Sequence, residues 1–268
     1  MKRILPLLFF PLVLLSFSCQ EDTDRVIHTD ITVEATQLLQ TSSNWGESLF
    51  FAMLDFEDYR QMESEYLPGC PEIQISDGDR RVTIDFSNKK GCDGEDKTFR
   101  SGKIILDFSQ QSGFLSFWTM RYENYSFKNF KISGERRFSF VNLTQIKETF
   151  ENLTFESEKE VRTVISGEFN HSTILSGGLL TGIRTSGSLE GTNPVGRSIS
   201  MILQAPREEK VECFLTDEPG LPNSAIEIWE ISRTSPQTIS HSLFYSSTNP
   251  CLVQVEALLS DGRRLQLQ

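Results

Sequence analysis

The stretch VTIDFSNKKGCDGEDKTFRSGKIILDFS, residues 82–109, holds two apolar runs that each end in Asp-Phe-Ser. They flank a polar loop carrying Cys92. Val82, Ile84 and Phe86 fall on one side of an extended chain, and Thr83 and Asp85 on the other. Ile104, Leu106 and Phe108 repeat the pattern after the loop. Side chains in a strand alternate between faces, so this text predicts a β-hairpin with one buried face. Asp85 and Asp107 occupy matching positions in its two arms, the arrangement of a glycosidase carboxylate pair. Their parity makes them outward residues of two core strands, and no catalytic role is assigned to them.

The same alternation recurs along most of the chain. It appears in Ile73 and Ile75, in Phe138 and Phe140, and in Leu153, Phe155, Val161, Thr163 and Ile165. It returns in Ile199, Met201 and Leu203, in Ile226 and Ile228, and from Val253 to Leu259. Short connections between such runs favour antiparallel meanders over helical crossovers. The expected fold is mainly β: a large antiparallel sheet or a β-sandwich-like domain, with one N-terminal amphipathic helix. That helix is expected in WGESLFFAMLDFEDYRQMESEY, residues 45–66, where Trp45, Leu49, Ala52, Met53 and Phe56 recur at three and four residues. Ser42, Ser43 or Asn44 would cap it, with Glu47 in capping-box register to Asn44. Ser-Gly recurs at 101–102, 133–134, 166–167 and 186–187, a weak repeat at the start of or inside the alternating runs.

The organisation predicted is a leader over 1–18, a tether over 19–31, a helical segment over 32–66 and an antiparallel β domain over 67–268. A soft break over Ala205–Lys210 makes 206–268 a possible disulfide-bonded subdomain, but the segment is too small to bury much core alone, and closing strands of the same sheet are the favoured reading. Lys2 and Arg3 precede an apolar run from Ile4 to Leu15 that is too short for the ~20 residues of a membrane span. The run ends in Ser16-Phe17-Ser18-Cys19, which is similar to the lipobox of bacterial lipoproteins, with Ser16 where leucine is usual. Cys19 is therefore the expected lipidation site. Acidic Glu21, Asp22 and Asp24 behind it resemble an export signal to the outer face of an outer membrane.

Five cysteines leave four once Cys19 is acylated: Cys70, Cys92, Cys213 and Cys251. Four allow three connectivities, of which Cys70–Cys92 with Cys213–Cys251 is favoured because each pair brackets a local β unit. The absence of any C-x-x-C and the scatter of His28, His171 and His241 argue against a zinc site. Asp77-Gly78-Asp79 and Asp93-Gly94-Glu95-Asp96 do not fit EF-hand spacing and suit tight turns. No metal and no cofactor are expected. The net charge is −11, and removal of Lys2 and Arg3 with the leader leaves 24 basic against 37 acidic residues, or −13. Such a surface repels nucleic acid and does not adsorb to anionic headgroups through a polybasic tract.

The chain lacks a G-x-S-x-G elbow, a P-loop, an H-E-x-x-H and a dinucleotide fingerprint. No catalytic residue is assigned. The aromatic cluster around Trp118, Tyr122 and Tyr125 is the candidate binding surface, since rings on a sheet face can stack on sugars. The competing reading makes them an inner layer of the sheet.

The order L-P-G-C-P (67–71), V-T-I-D-F (82–86), G-C-D-G (91–94), R-S-G-K-I (100–104) and Y-S-F-K-N-F-K-I-S-G (125–134) resembles a group of uncharacterised β-rich lipoproteins of the Bacteroidota. The resemblance carries Cys70, Cys92, Gly94, Asp96, Arg100, Gly102, Lys103, Cys213 and Cys251. It covers residues 67–140 well and the last 60 poorly, where Ser246-Ser247-Thr248-Asn249-Pro250-Cys251 departs from a Gly-Asp-Gly-x-Cys turn. It implies a lipid-anchored outer-membrane protein exposed at the cell surface and brings no activity. The function expected is non-enzymatic binding of a protein or glycan partner. An envelope hydrolase with dispersed carboxylates and a passive structural subunit of the cell surface are the alternatives.

Overall fold

In the strand Ser198–Lys210, Ile199, Met201 and Leu203 are buried while Ser198, Ile202 and Gln204 are exposed, and the long strands follow this rule except where the ladder is interrupted. The computed structural model describes residues 30–87, 100–109, 117–215, 220–233, 237–249 and 251–268. Its helices are α1 (Ile31–Gly46), α2 (Leu49–Met53) and α3 (Phe56–Gln61), followed by a 3-10 turn at Ser64–Tyr66. The strands are β1 (Glu72–Ser76), β2 (Arg81–Asp85), β3 (Arg100–Asp107), β4 (Phe117–Phe127), β5 (Phe130–Asn142), β6 (Gln145–Ser157) and β7 (Arg162–Ser176). They continue as β8 (Leu179–Thr192), β9 (Ser198–Lys210), β10 (Ser224–Ser232), β11 (Thr238–Asn249), β12 (Leu252–Leu258) and β13 (Arg264–Gln266). All thirteen form one antiparallel sheet in sequence order, so each strand pairs with its chain neighbours. The sheet is open, and the sandwich alternative is set aside.

The hairpin of residues 82–109 forms β2 and β3 in the expected register, with Ile84 opposite Ile104 and Val82 opposite Leu106. Asp85 is held by Lys103 at 3.1 Å and Asp107 by Arg81 at 3.3 Å, as charge pairs across the two strands. Those pairs hold both carboxyl groups below their usual range despite partial burial, through hydrogen bonds to Ser87 and Ser109 as well as the cations.

Helix α1 begins at Ile31, at the head of the expected helical segment 32–66 and fourteen residues ahead of the stretch read from Trp45, and two breaks follow it. Ser42, Ser43 and Asn44 are not caps: they lie buried in the last turns of α1. The capping box is instead at α3, where Asp55 accepts from the Asp58 backbone N–H and Asp58 reciprocates. Every residue from Thr41 to Leu54 is buried, more than one apolar stripe would produce. Protein therefore surrounds this segment on several sides.

The sheet curls around α1 and α2. Glu34 meets His241 of β11, and Phe51 packs on Phe86 just past β2. Seventeen residues of helix span about 26 Å. Nine strand spacings laid flat would need about 43 Å. The difference is absorbed by curvature, and the bulges supply it. Register shifts interrupt every pairing from β3–β4 to β9–β10. A bulge bends its strand and sharpens the twist.

Three of the four Ser-Gly glycines sit at these shifts with positive φ, Gly102 at 77°, Gly134 at 123° and Gly187 at 146°. The fourth, Gly167, lies opposite the shift in β6. The dipeptide thus marks bend points. Pro206 also falls at a shift, between Ala205 and Glu208. The expected break at Ala205–Lys210 is continuous strand, and residues 206–268 extend the same sheet rather than form a subdomain.

Cys213, in a 3-10 turn (Val211–Leu215), is disulfide-bonded to Cys251 with Cα atoms 5.0 Å apart. Closing that loop stabilises the fold by about 4 kcal/mol on the chain-entropy view. Cys70 is disulfide-bonded as well. Its expected partner Cys92, the polar loop around it, and Cys19 lie outside the described residues.

A Cβ at Gly102 would lie 2.1 Å from the Asn124 carbonyl oxygen, whereas at Gly262 (φ 85°) it would meet nothing within 4 Å. Gly102→Ala should therefore lower the urea unfolding free energy by about 2–4 kcal/mol, and Gly262→Ala by about 1 kcal/mol. Equal losses would show that the close approach at Gly102 does not matter.

Candidate functional site

Three arginines on the concave face of the sheet meet the last turns of α1 and the two residues that follow it. The last carbonyls of a helix lack partners within it and carry the negative end of its dipole. Here the sheet supplies the cations. Arg136 of β5 donates to the Trp45 carbonyl at 3.1 Å and to Ser48 Oγ at 3.0 Å. Arg100 of β3 donates through Nη2 to the Glu47 carbonyl and through Nε to Glu47 Oε2, both at 3.0 Å. Arg207 of β9 donates to Ser42 Oγ at 2.9 Å and to the Gly220 carbonyl. Gly46 makes room for it: a Cβ there would lie 2.0 Å from Arg207 Nη2.

Each guanidinium is paired with acid. Arg136 Nε donates to Glu148 Oε1 at 2.5 Å, and Arg207 donates to Glu209 Oε1 at 2.9 and 3.0 Å. Glu227 accepts from Ser42, Trp229 and Tyr245 and lies 3.6 Å from Arg207. At the start of α1, Glu34 takes Arg197 at 3.1 Å and Arg233 at 2.6 Å. Burial pushes the Glu47 and Glu227 carboxyl groups up, and their arginines only partly offset this. Glu148 is the opposite case. Its burial is outweighed by Arg136 and His171, which hold it at about 2.

Glu148 Oε2 lies 2.8 Å from His171 Nε2, and His171 Nδ1 lies 2.8 Å from Thr185 Oγ1. Acid, imidazole and hydroxyl in this order have the connectivity of a nucleophilic triad. All three residues are fully buried, and Arg136 also occupies the carboxylate. Neither surface cavity described below is lined by any of them. A hydroxyl that no substrate can reach performs no acyl transfer, so the relay is a locked core network.

The expected aromatic platform belongs to this interior. Trp118 is 2% exposed and donates Nε1–H to the Ala52 carbonyl at 3.1 Å. Tyr125 is 1% exposed and donates to Glu47 at 2.9 Å, and the Tyr122 hydroxyl lies 2.8 Å from Ser48 Oγ. These rings are the inner layer under the helices, so the expectation of an exposed stacking surface is corrected. Their hydroxyl and indole groups satisfy helix polar atoms instead of ligand.

The outer face of β6–β10 carries the accessible feature. A trough of about 610 Å³ is lined by Thr149, Glu151, Ser166, Glu168, Ser188, Glu190, Ser200, Ile202, Ile228 and Glu230, with apolar floor from Phe150, Leu189 and Met201. A second hollow of about 390 Å³ adjoins it and shares Ser166, Glu190, Ser200 and Glu230. Register explains both. Ser166 of β7 opposes Glu190 of β8, which opposes Ser200 of β9, which opposes Glu230 of β10. Small hydroxyl residues between long acids leave the space empty. Glu168 is paired with Lys147 at 2.8 Å, and no described cation is paired with Glu151, Glu190 or Glu230. Two strand spacings put Glu190 and Glu230 about 10 Å apart. That is too wide for one calcium ion, whose ligands sit at about 2.3–2.6 Å.

Among the described residues the one cluster of metal-ligating atoms is Glu212, Cys213 and Cys251. Its two sulfurs are joined to each other, so it offers a single carboxylate. No protein-family model, curated protein or solved structure matches the chain.

Removing Arg136 would leave Glu148 buried and uncompensated. Arg136→Met should lower stability by about 3–5 kcal/mol. The acid titration has a defined sign. A carboxyl held at about 2 in the fold, against an ordinary 4.5, contributes stability above 4.5 and loses it as pH falls toward about 2. The stability gap between wild type and Glu148→Gln should close over that window in urea titrations. A gap independent of pH would mean that Glu148 is not ionised in the fold.

Proposed function

We propose that the protein is a lipid-anchored cell-envelope protein that binds a partner non-enzymatically, through the trough on the outside of β6–β10. The trough carries the reading: three carboxylates without a described counter-ion, spaced along a Ser-lined channel, match a partner that brings separated positive charges. An extended peptide with basic side chains at alternate positions offers cations about 7 Å apart plus the reach of each side chain. A basic segment of a partner protein is the favoured ligand. A glycan is the second reading, because Ser and Glu side chains can bond sugar hydroxyls, but it has lost the stacking rings that first favoured it.

Anchoring at the outer membrane and exposure at the cell surface rest on the sequence alone, on the lipobox-like end of the leader at Cys19 and the acidic residues behind it. If Cys19 is acylated, Cys19→Ala should abolish incorporation of a fatty-acid probe in cells. Unchanged incorporation would overturn the anchor.

The chain from Gln20 onward contains every described residue. Titrated calorimetrically with oligolysine, that chain should bind with an affinity that falls steeply with salt. Glu190→Gln with Glu230→Gln should weaken binding at least tenfold, while a glycan array stays silent. Oligolysine binding equal in the double variant, or selective glycan binding, would overturn the basic-segment reading.

A further inference from the structure

The ends of two neighbouring hairpins break the surface pattern of the molecule. The β5–β6 turn presents Phe140, Val141 and Leu143, and the β7–β8 turn presents Ile174, Leu175 and Leu179. Exposure rises toward the tips, from 39% at Phe140 to 97% at Leu143, and from 47% at Ile174 to 74% at Leu179. The tips stand side by side, because the Thr173 backbone N–H donates to the Thr144 carbonyl at 3.0 Å. Residues 138–146 and 172–183 contain no charged side chain, in a chain that is 24% charged. Six projecting apolar side chains on an uncharged crest exceed the scattered surface apolar residues of a soluble domain.

On three of the four strands that run back from the crest, the first charged residue is basic. Moving back from the tips, the first charged residue is Arg137 on β5, Lys147 on β6 and Arg184 on β8. The last residue of β9, paired with Gly182 just behind the crest, is Lys210. Only β7 meets an acid first, Glu168, and Lys147 holds it at 2.8 Å. Arg184 and Lys210 lie near Glu208 and Glu212, at 3.6 and 3.9 Å, in exposed pairs that water screens. Long basic side chains thus flank the apolar crest, each of Lys147, Arg184 and Lys210 beside an acid, in a chain of net charge −11.

We propose that this crest is a membrane-contact site, in which Leu143, Leu179 and their neighbours enter the headgroup–acyl boundary of a phospholipid bilayer. Lys147, Arg184 and Lys210 then lie at the depth of the lipid phosphates. A bilayer suits projecting tips because it deforms around them and needs no matching groove. Long basic side chains extend their stems over apolar surface and leave the charge among the headgroups. The acidic remainder of the surface opposes adsorption of the whole molecule, so the contact is confined to this end. The inference is independent of the trough and of the anchor at Cys19.

The test uses the chain from Gln20 onward, which has neither leader nor acyl chain, in flotation with vesicles of phosphatidylethanolamine and phosphatidylglycerol. The protein should float with the vesicles. Leu143→Asp with Leu179→Asp should reduce the floated fraction at least tenfold at an unchanged melting temperature, since both side chains project into solvent. Lys147→Glu with Arg184→Glu should weaken flotation on these anionic vesicles more than on pure phosphatidylcholine. No flotation, or flotation unchanged in the double-aspartate variant, overturns the proposal. So does a concentration-dependent dimer that the double-aspartate variant abolishes without any vesicle binding, which would assign the crest to a second copy of the chain.

Discussion

The structure depends on a helix end that cannot satisfy itself. Helix α1 stops at Gly46 inside the curl of the sheet, where its last residues are buried. Arg136 of β5 reaches the Trp45 carbonyl at that end, Arg100 of β3 the Glu47 carbonyl just past it and Arg207 of β9 the Ser42 hydroxyl in its last turns, and each is paired with a carboxylate. Each of these arginines has an acid within 3.0 Å beside it. The arrangement also fixes the position of the helix against widely spaced strands, which purely apolar contact would not do as specifically. Buried ion pairs seldom add stability over well-packed apolar side chains of the same volume, and removal of one partner is costly. Here the arginines act as register devices: they specify where a helix may sit on a sheet that could otherwise accept it in several places.

Curvature follows from the same arrangement. For arginines from β3 and β9 to reach one helix end, the intervening strands must wrap it, and a pleated sheet bends where its ladder is interrupted. Gly102, Gly134 and Gly187 provide such interruptions with backbone conformations that other residues rarely adopt. The R-S-G-K-I text of β3 reads directly in these terms. Arg100 holds Glu47, Gly102 makes the bulge against Asn124, and Lys103 pairs with Asp85.

The strands were legible because one face of each is buried, which imposes a period of two. The helix was only half legible. Residues 31–46 carry Ser, Thr, Asn and Glu at positions that turn out to be buried, and their partners lie as far away as Arg233. No local pattern announces a partner almost two hundred residues distant. The apolar residues from Trp45 to Phe56 were correctly seen as buried, but they straddle two breaks and do not form one stripe. A signal for the ionic core did exist. Arg136 shares its parity with Phe138, Glu148 with Ile146 and Phe150, His171 with Phe169, and Glu227 with Trp229. Charged residues in phase with core residues of a strand are candidates for buried pairs, and reading parity for polar residues would have found them. The outer trough had no comparable signal, because alternating Ser and Glu read as an ordinary solvated face.

The trough and the curl have one origin. It lies over the shifts at Phe150/Leu153 in β6 and at Thr185/Ser188 in β8, with Gly167 between them. A bulge that turns one face of a sheet inward spreads the strands' outer side chains apart. Where those side chains are serine and glycine, nothing refills the space. At Gly167 an added Cβ would lie 2.8 Å from the Phe150 ring, so larger residues are excluded there by the inner packing. Gly167 thus serves the inner packing, and the outer hollow stays open because the serines that line it are short. Changes that stiffen the wrap should alter the trough, and a ligand that fills the trough should bear on the bend beneath it.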